Sequence, residues 1–289
     1  MNRRRFLFAT LLLILFCGLP FHAYAQSNAS ASPTSTTDIA ALEQRAVSGS
    51  AIDQYYLGLA FVNGDGVPQD YKQAAKWYLA AAEQKQRNAE NNLGSLYESG
   101  RGVHKNLHEA ARWYRAAAEQ GDPVAKCNLA SLYFSGLGLP KDYAQAAAWF
   151  HASAEQDYAP AQYLLSTMYY RGQGVSTDFS KAAQWAQRAA VQGDVRAQAD
   201  LGYLYEQGRG VPLDYVRAYQ WYSLAVENGN EQSKVSLKNL SQLMTHKQLN
   251  EAAAVRVYAQ DKQNEDDNPN DAAVFNSFAQ RHQQIVPFH

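Results

Sequence analysis

Cysteine and an excess of either charge are what this chain most clearly lacks. Only Cys17 and Cys127 occur among 289 residues, which excludes a disulfide-rich scaffold. Lysine and arginine number 26 against 27 aspartates and glutamates, so the formal net charge is −1. A chain without a basic stripe is not built to bind nucleic acid. Beyond the first 25 residues, no apolar run is long enough to span a bilayer.

The first 25 residues have the composition of a secretory signal peptide. Three arginines at positions 3 to 5 precede an apolar run from Phe6 to Phe16, and Ala23-Tyr24-Ala25 fits a cleavage site. We predict cleavage after Ala25, export by the general secretory or the twin-arginine route, and a periplasmic or secreted mature chain. The loss of three arginines leaves 23 basic and 27 acidic residues, a net charge of −4.

Glycine pairs and tryptophans recur at an interval of 36 residues. The pairs are Gly64 and Gly66, Gly100 and Gly102, Gly136 and Gly138, Gly172 and Gly174, and Gly208 and Gly210. The tryptophans, all five of the chain, are Trp77, Trp113, Trp149, Trp185 and Trp221. Strict register over five copies indicates a tandem repeat.

Each copy is predicted to be a helical hairpin. Ala89, Leu93 and Leu96 fall on one face of a first helix, and a second apolar stripe begins at Leu107. The glycines between them permit the positive φ that ends a helix, and Asn106 is predicted to cap the second helix. Because neither helix can bury its stripe alone, the hairpins must stack. This predicts an all-α fold, an α/α right-handed superhelical solenoid of helix-turn-helix repeats.

One copy, from Ala89 to Gly121, resembles the Sel-one-like repeat (SLR) family, which is related to tetratricopeptide repeats. It carries Ala-x-x-x-Leu-Gly-x-Leu-Tyr-x-x-Gly-x-Gly-Val and then Asn-Leu-x-x-Ala-x-x-Trp-Tyr-x-x-Ala-Ala-x-x-Gly. The resemblance covers roughly residues 40 to 260 and implies an exported bacterial adaptor. Departures from the pattern are Ala130 and Ser166 in place of Gly94, Lys85 and Asp157 in place of Gly121, and Ala186 in place of Tyr114.

The repeat pattern divides the chain into four segments. Residues 1–25 are the signal peptide, and residues 26–37, rich in serine, threonine and alanine, are a flexible leader. Residues 38–260 are the solenoid, with a half-repeat at 38–50, five full repeats over about 51–230 and capping helices at 231–260. Thr245 and Gln248 have capping-box spacing there. Residues 261–289 are an acidic linker and a tail, in which 272–284 either frays or forms a short docking helix.

Residues that could carry chemistry are scarce. His104 and His108 are four apart, but no carboxylate or cysteine completes a metal set. No nucleophile with a base and no paired carboxylates form a motif. Cys127 is interpreted as a small apolar residue that faces outward or toward the groove. We therefore predict no catalytic residue, no metal and no cofactor, and we place the repeated tryptophans and tyrosines in the core.

The binding resource that remains is the surface of the first helices, because a solenoid presents them along a concave groove. Tyrosine offers large contact area at low entropic cost, and asparagine can pair with backbone amides, so this surface suits a polypeptide. The same side chains could instead pack between adjacent hairpins. The candidate residues, called the first-helix stripe, are Tyr55, Tyr56, Leu59, Asn91, Asn92, Ser95, Asn128, Tyr163, Leu164 and Tyr203.

The sequence therefore favours a non-catalytic exported scaffold or adaptor that binds a protein or peptide partner in this groove. Envelope assembly, signalling and host interaction are roles that the resemblance implies. One alternative is a cell-wall enzyme, β-lactamase-like or acting on peptidoglycan, although SLR proteins with such activity look cysteine-rich. Another is a binder of peptidoglycan fragments, whose sugars would stack on the aromatic side chains of the stripe.

Overall fold

The computed structural model describes residues 36–254. This range contains 13 helices and no strand, which confirms the predicted all-α repeat fold. In chain order the helices are α1 (Thr36–Val47), α2 (Ala51–Asn63), α3 (Tyr71–Glu83), α4 (Arg87–Ser99), α5 (Leu107–Glu119), α6 (Pro123–Ser135), α7 (Tyr143–Ala154), α8 (Ala159–Arg171), α9 (Phe179–Val191), α10 (Val195–Gln207), α11 (Tyr215–Glu227), α12 (Glu231–Ser241) and α13 (His246–Ala254). The predicted signal peptide, residues 26–35 of the leader and the predicted tail lie outside the described residues.

The chain divides after Lys141 into two compact units. Helices α1 to α6 belong to the first unit and helices α7 to α13 to the second. In the first unit, α2 packs on α3 and α4 packs on α5, while α3 also contacts α4. In the second unit, α8 packs on α9 and α10 on α11, with α9 against α10. Each helix pair is one predicted hairpin, and its neighbour covers the apolar surface that the pair cannot bury by itself.

Side-chain caps begin the second helices at the predicted positions. The Asn106 side chain accepts hydrogen bonds from the backbone N–H groups of His108 (3.1 Å) and Glu109 (3.2 Å). At Thr245 the capping box is reciprocal, since Gln248 accepts from the Thr245 backbone N–H at 2.9 Å and donates its own backbone N–H to the threonine hydroxyl at 3.3 Å. These bonds pair donors that the first turn of a helix leaves unsatisfied.

The two glycines of each pair have different tasks. The first, Gly100 for example, has φ +73° and ends its helix with a bond from its N–H to the Leu96 carbonyl. In the last four pairs the second glycine lies against the preceding hairpin, as at Gly102, where a Cβ would stand 2.0 Å from the Tyr71 carbonyl oxygen at the start of α3. The sequence predicted the turn, whereas the contact between hairpins is a finding of the structure.

A third glycine makes room for a tyrosine ring in the first, second and fifth hairpins. A Cβ on Gly94 would stand 2.8 Å from the ring of Tyr114, which is completely buried. The Tyr114 hydroxyl donates to the Glu98 carboxylate at 2.6 Å. In the fourth hairpin both positions change together, since Ser166 replaces the glycine and Ala186 replaces the tyrosine. The Ser166 hydroxyl there donates to the Ala182 carbonyl at 2.8 Å, so the departure is compensated locally.

Core positions for the tryptophans are confirmed for three of the five. Trp113, Trp185 and Trp221 are buried, whereas Trp77 and Trp149 are half-buried. The guanidinium of Arg112 lies 4.4 Å from the centroid of the Trp113 ring and covers its outer face. The indoles thus close the edge of the core beneath long basic side chains.

One predicted boundary needs correction, and two turns keep their conformation without glycine. Thr36 and Thr37 were assigned to the flexible leader, but both lie in α1. Lys85 and Asp157 replace the glycine that ends a second helix, and both nevertheless take positive φ, +62° and +57°. The surrounding hairpin packing thus holds the turn even where a side chain makes that conformation costly.

Candidate functional site

The first-helix stripe is less exposed than a solvated binding surface would be. Four of its residues are buried, and they are Tyr55, Leu59, Asn91 and Asn92. The other six are half-buried, and they are Tyr56, Ser95, Asn128, Tyr163, Leu164 and Tyr203. Because first helices in each unit lie beside one another, their inward side chains meet those of the next hairpin before they reach solvent.

In the first unit the stripe tyrosines contribute to packing. The ring of Tyr55 stacks on Tyr78, with 6.0 Å between centroids, and touches Tyr56 at 5.2 Å. Burial raises the pKa of the Tyr55 hydroxyl to about 12, with Tyr56 and Asp122 adding to the effect. A phenol held neutral among other rings supports the core of the first hairpin.

The asparagines of the first unit bind each other. Asn128 on α6 donates its side-chain N–H to the amide oxygen of Asn91 on α4 at 3.1 Å. This bond joins the first helices of the second and third hairpins. The side-chain amides of Asn91 and Asn128 were both predicted to bind a partner, and here they pair with each other. Asn128 remains half-buried and retains contact with solvent.

The second unit presents the most chemically distinct part of the stripe. The guanidinium of Arg196 on α10 lies 4.2 Å from the centroid of the Tyr163 ring on α8. Asp194 fixes that guanidinium through two contacts, 3.2 Å to Nε and 2.6 Å to a terminal nitrogen. The contact of the Arg196 guanidinium with the Tyr163 ring and its two hydrogen bonds to Asp194 hold the Arg196 and Tyr163 side chains in one geometry.

Asp200 lies beside this pair with an unusual protonation equilibrium. Shielding by neighbouring atoms raises the pKa of its carboxyl to about 7, and the charge of Asp194 raises it further, while Arg171 and Arg196 oppose the shift. The residue as a whole is half-buried. Near neutral pH it can therefore either donate or accept a hydrogen bond.

Tyr170 and Tyr203 extend the same surface. Burial raises the pKa of the Tyr170 hydroxyl to about 12, and its hydrogen bond with Tyr203 adds to the effect. Arg209 hydrogen-bonds to the Tyr170 hydroxyl and lies 5.5 Å from the Phe179 ring. Tyr203 itself packs against the core of the second unit.

We call these residues the tyrosine–arginine face. Its members are Tyr163, Tyr170, Arg171, Arg196, Asp200, Tyr203 and Arg209. The first-helix stripe included only Tyr163 and Tyr203 from this set. A sequence signal for others existed, because Tyr170 and Arg171 follow Tyr163 by seven and eight residues and thus share its helix face. The face combines the residue types that carry binding energy at protein interfaces.

Cys127 does not occupy the position predicted for it. It is completely buried in α6, which contradicts an outward orientation. His104 and His108 are both exposed.

Residues 36–254 offer neither a metal-binding cluster nor a membrane-spanning helix. No three histidine, cysteine, aspartate or glutamate side chains in that range are grouped so that they could hold a metal ion. None of the helices there has the length and apolar character needed to cross a bilayer.

The Sel1 repeat model matches the chain five times in succession, at residues 51–85, 87–122, 123–158, 159–194 and 195–230. No curated protein matches the chain. Among solved structures, a protective antigen of uropathogenic Escherichia coli strains with an SLR fold is similar, with 36% identity and a TM-score of 0.69. The match covers 75% of this chain and 46% of the antigen, so the chain spans less than half of that protein.

A Sel1 repeat protein from Oxalobacter formigenes is also similar, with 36% identity and a TM-score of 0.61. That match covers 64% of this chain and 76% of the other. The repeat boundaries coincide with the hairpins described above, each from the start of a first helix to the turn after the second. The chain therefore belongs to the Sel1 repeat family.

Proposed function

We propose that this protein is an exported, non-catalytic scaffold that holds a polypeptide partner on the tyrosine–arginine face. Sel1 repeat proteins are generally protein-interaction scaffolds, and their fold is typically not that of an enzyme. Export is supported by the arginines, apolar run and small residues of positions 1–25. Envelope assembly, signalling or host interaction is the setting that fits an exported adaptor.

The observation that carries the proposal is the pairing of Arg196 with Tyr163 beside Asp200. Arg and Tyr are enriched among the residues that dominate interface energetics. Their conformational freedom is already lost in the unbound protein, because Asp194 clamps the guanidinium, so binding costs less ordering entropy. Asp200 adds a group that can pair with a backbone N–H or a polar side chain of the partner.

The test identifies the partner by contact and then measures affinity. A photo-crosslinking amino acid replaces Arg171, which is exposed on this face, or Gln184, which is exposed on α9. The two modified proteins are irradiated in the cells that produce them. We expect a covalent polypeptide adduct from position 171 and none from position 184, followed by identification of the adduct by mass spectrometry.

Calorimetry with the purified partner then distinguishes binding to the tyrosine–arginine face from non-specific binding. Arg171→Glu should weaken binding at least about tenfold, which corresponds to about 1.4 kcal/mol, whereas Gln184→Glu should leave it unchanged. Both variants should keep the melting temperature of the parent. Equal affinity of the two variants, or adducts that form equally from both positions, would refute the proposed face. Retention on purified peptidoglycan without a polypeptide adduct would instead favour a glycan binder.

A further inference from the structure

A buried glutamine recurs at one position of the first helices, at intervals that are multiples of 36 residues. Gln54, Gln162 and Gln198 occupy it, and each is buried. Each donates its side-chain N–H to a carbonyl oxygen eight residues earlier in the chain. The acceptors are Ala46 at 3.0 Å, Ala154 at 3.2 Å and Ala190 at 3.1 Å.

The same glutamines also accept a hydrogen bond from a side-chain amide thirty residues later. The donors are Gln84 at 2.8 Å, Gln192 at 2.8 Å and Asn228 at 3.0 Å. Each glutamine therefore joins the end of the preceding helix to the end of the second helix of its own hairpin. We call this arrangement the amide rung.

Glu90 occupies the rung position in the second hairpin. It is only 3% exposed, and its carboxylate accepts from the Gln120 side-chain N–H at 2.6 Å, as the glutamines do from their partners. The carbonyl eight residues earlier belongs to Ala82. An ionised carboxylate has no proton to donate to that oxygen, whereas a neutral carboxyl reproduces both bonds of a glutamine.

The charges around Glu90 also bear on its protonation. Burial raises the pKa of the Glu90 carboxyl to about 7, the hydrogen bond from Gln120 and the charge of Lys85 oppose this, and Glu119 on α5 adds to it. Arg87, one turn earlier, is engaged with Asp122 at 3.8 Å. The attraction between Lys85 and the Glu90 carboxylate is smaller than the free-energy cost of removing that carboxylate from water, so the pKa stays raised.

We propose that Glu90 takes up a proton when the joint between the first and second hairpins closes, so that this joint is tight in weak acid and looser at neutral and higher pH. The sign follows from linkage. A carboxyl whose pKa is higher in the folded chain binds more proton when folded, so stability falls as pH rises from its ordinary value of 4.5 to about 7. Above that window the stabilisation from the protonated Glu90 carboxyl is fully lost, and this group no longer makes stability depend on pH.

Hydrogen exchange of the full chain at pH 5 and pH 8 tests the proposal. Peptides that cover residues 81–92 report on the joint, with rates corrected for the intrinsic pH dependence of exchange. We expect the protection factor of the parent protein to fall at least about tenfold between the two conditions. Between pH 5 and pH 8 the protection factor of Glu90→Gln should change by no more than about twofold. It should exceed the protection factor of the parent at pH 8 only.

Gln198→Glu provides the matched control in the second unit. Asp200, whose carboxyl pKa is also raised, lies in the same segment. In peptides that cover residues 189–200, the fall in protection between pH 5 and pH 8 should therefore be larger in Gln198→Glu than in the parent, and residues 81–92 should behave as in the parent. A Glu90→Gln protein with the parent's pH profile would overturn the proposal. So would a Gln198→Glu protein without this larger fall in protection, because the rung would then be insensitive to charge.

Discussion

The close contact between Gly102 and the preceding hairpin leads to a quantitative prediction for Gly102→Ala. A methyl group there would stand 2.0 Å from the Tyr71 carbonyl oxygen, 2.3 Å from its carbonyl carbon and 2.8 Å from the Lys72 nitrogen. All three atoms belong to backbone at the start of α3, which cannot rotate away as a side chain can. The methyl therefore forces the second hairpin away from the first.

The size of the effect follows from comparison with Gly121 in the same unit. Both glycines have positive φ, +74° and +92°, so alanine costs about 1–2 kcal/mol at either position from conformation alone. A methyl on Gly121 meets no atom within 4 Å. At Gly102 overpacking against backbone adds about 1–3 kcal/mol or more. We expect losses in unfolding free energy of about 1–2 kcal/mol for Gly121→Ala and about 3–5 kcal/mol for Gly102→Ala.

Urea unfolding followed by circular dichroism at 222 nm measures both variants against the parent. Gly100→Ala should fall between them, since its methyl would stand 3.1 Å from the Lys105 Cβ and 3.4 Å from the Lys105 backbone nitrogen, which is closer than at Gly121 but less severe than at Gly102. Equal losses for Gly102→Ala and Gly121→Ala would refute the reasoning, because the second glycine would then be needed for its turn conformation and not for packing.

Substitutions at three further positions test separate parts of the fold by the same assay. Trp113→Ala should lose about 3 kcal/mol, because it leaves a cavity where a ring only 8% exposed now packs; a shift below 1 kcal/mol would remove that indole from the core. Lys85→Gly should gain about 0.5–1 kcal/mol by relieving φ +62°, and a loss would mean that the lysine side chain stabilises the turn. Asn106→Ala should lose about 1 kcal/mol through its cap, whereas Asn106→Asp should not.

The helices were predictable because repetition multiplies weak local signals. Asn106 alone is weak evidence for a cap, but aspartate or asparagine occupies the same place in five hairpins, directly before a second helix, and this repetition makes the cap a firm prediction. The role of Gly102 could not be predicted, since its contact with Tyr71 spans two hairpins and depends on how closely they approach. Sequence periodicity describes one helix at a time and carries no distance between helices.

The candidate site was predictable only in part for the same reason. Asn91 and Asn128 were assigned to a partner-binding surface because their positions point away from the core of their own hairpin. They point instead toward each other, at 3.1 Å. The rung glutamines were not predicted although Gln54, Gln162 and Gln198 stand in register, because an uncharged amide carries no signature of catalysis or metal binding. A polar residue repeated on an apolar face was the available signal.

The exchange of Gly94 and Tyr114 for Ser166 and Ala186 shows that the two halves of a hairpin are matched to each other. A first helix of the Ser166 kind placed against a tyrosine such as Tyr114 would put a hydroxymethyl group where the ring needs empty space. Gene rearrangements that cut at the glycine pair would therefore produce mismatched halves, whereas cuts after Gly121 or Gly193 would exchange whole cassettes. Natural shortening or lengthening of this protein should consequently proceed through the turns that follow the second helices, and engineered chimaeras should be joined there.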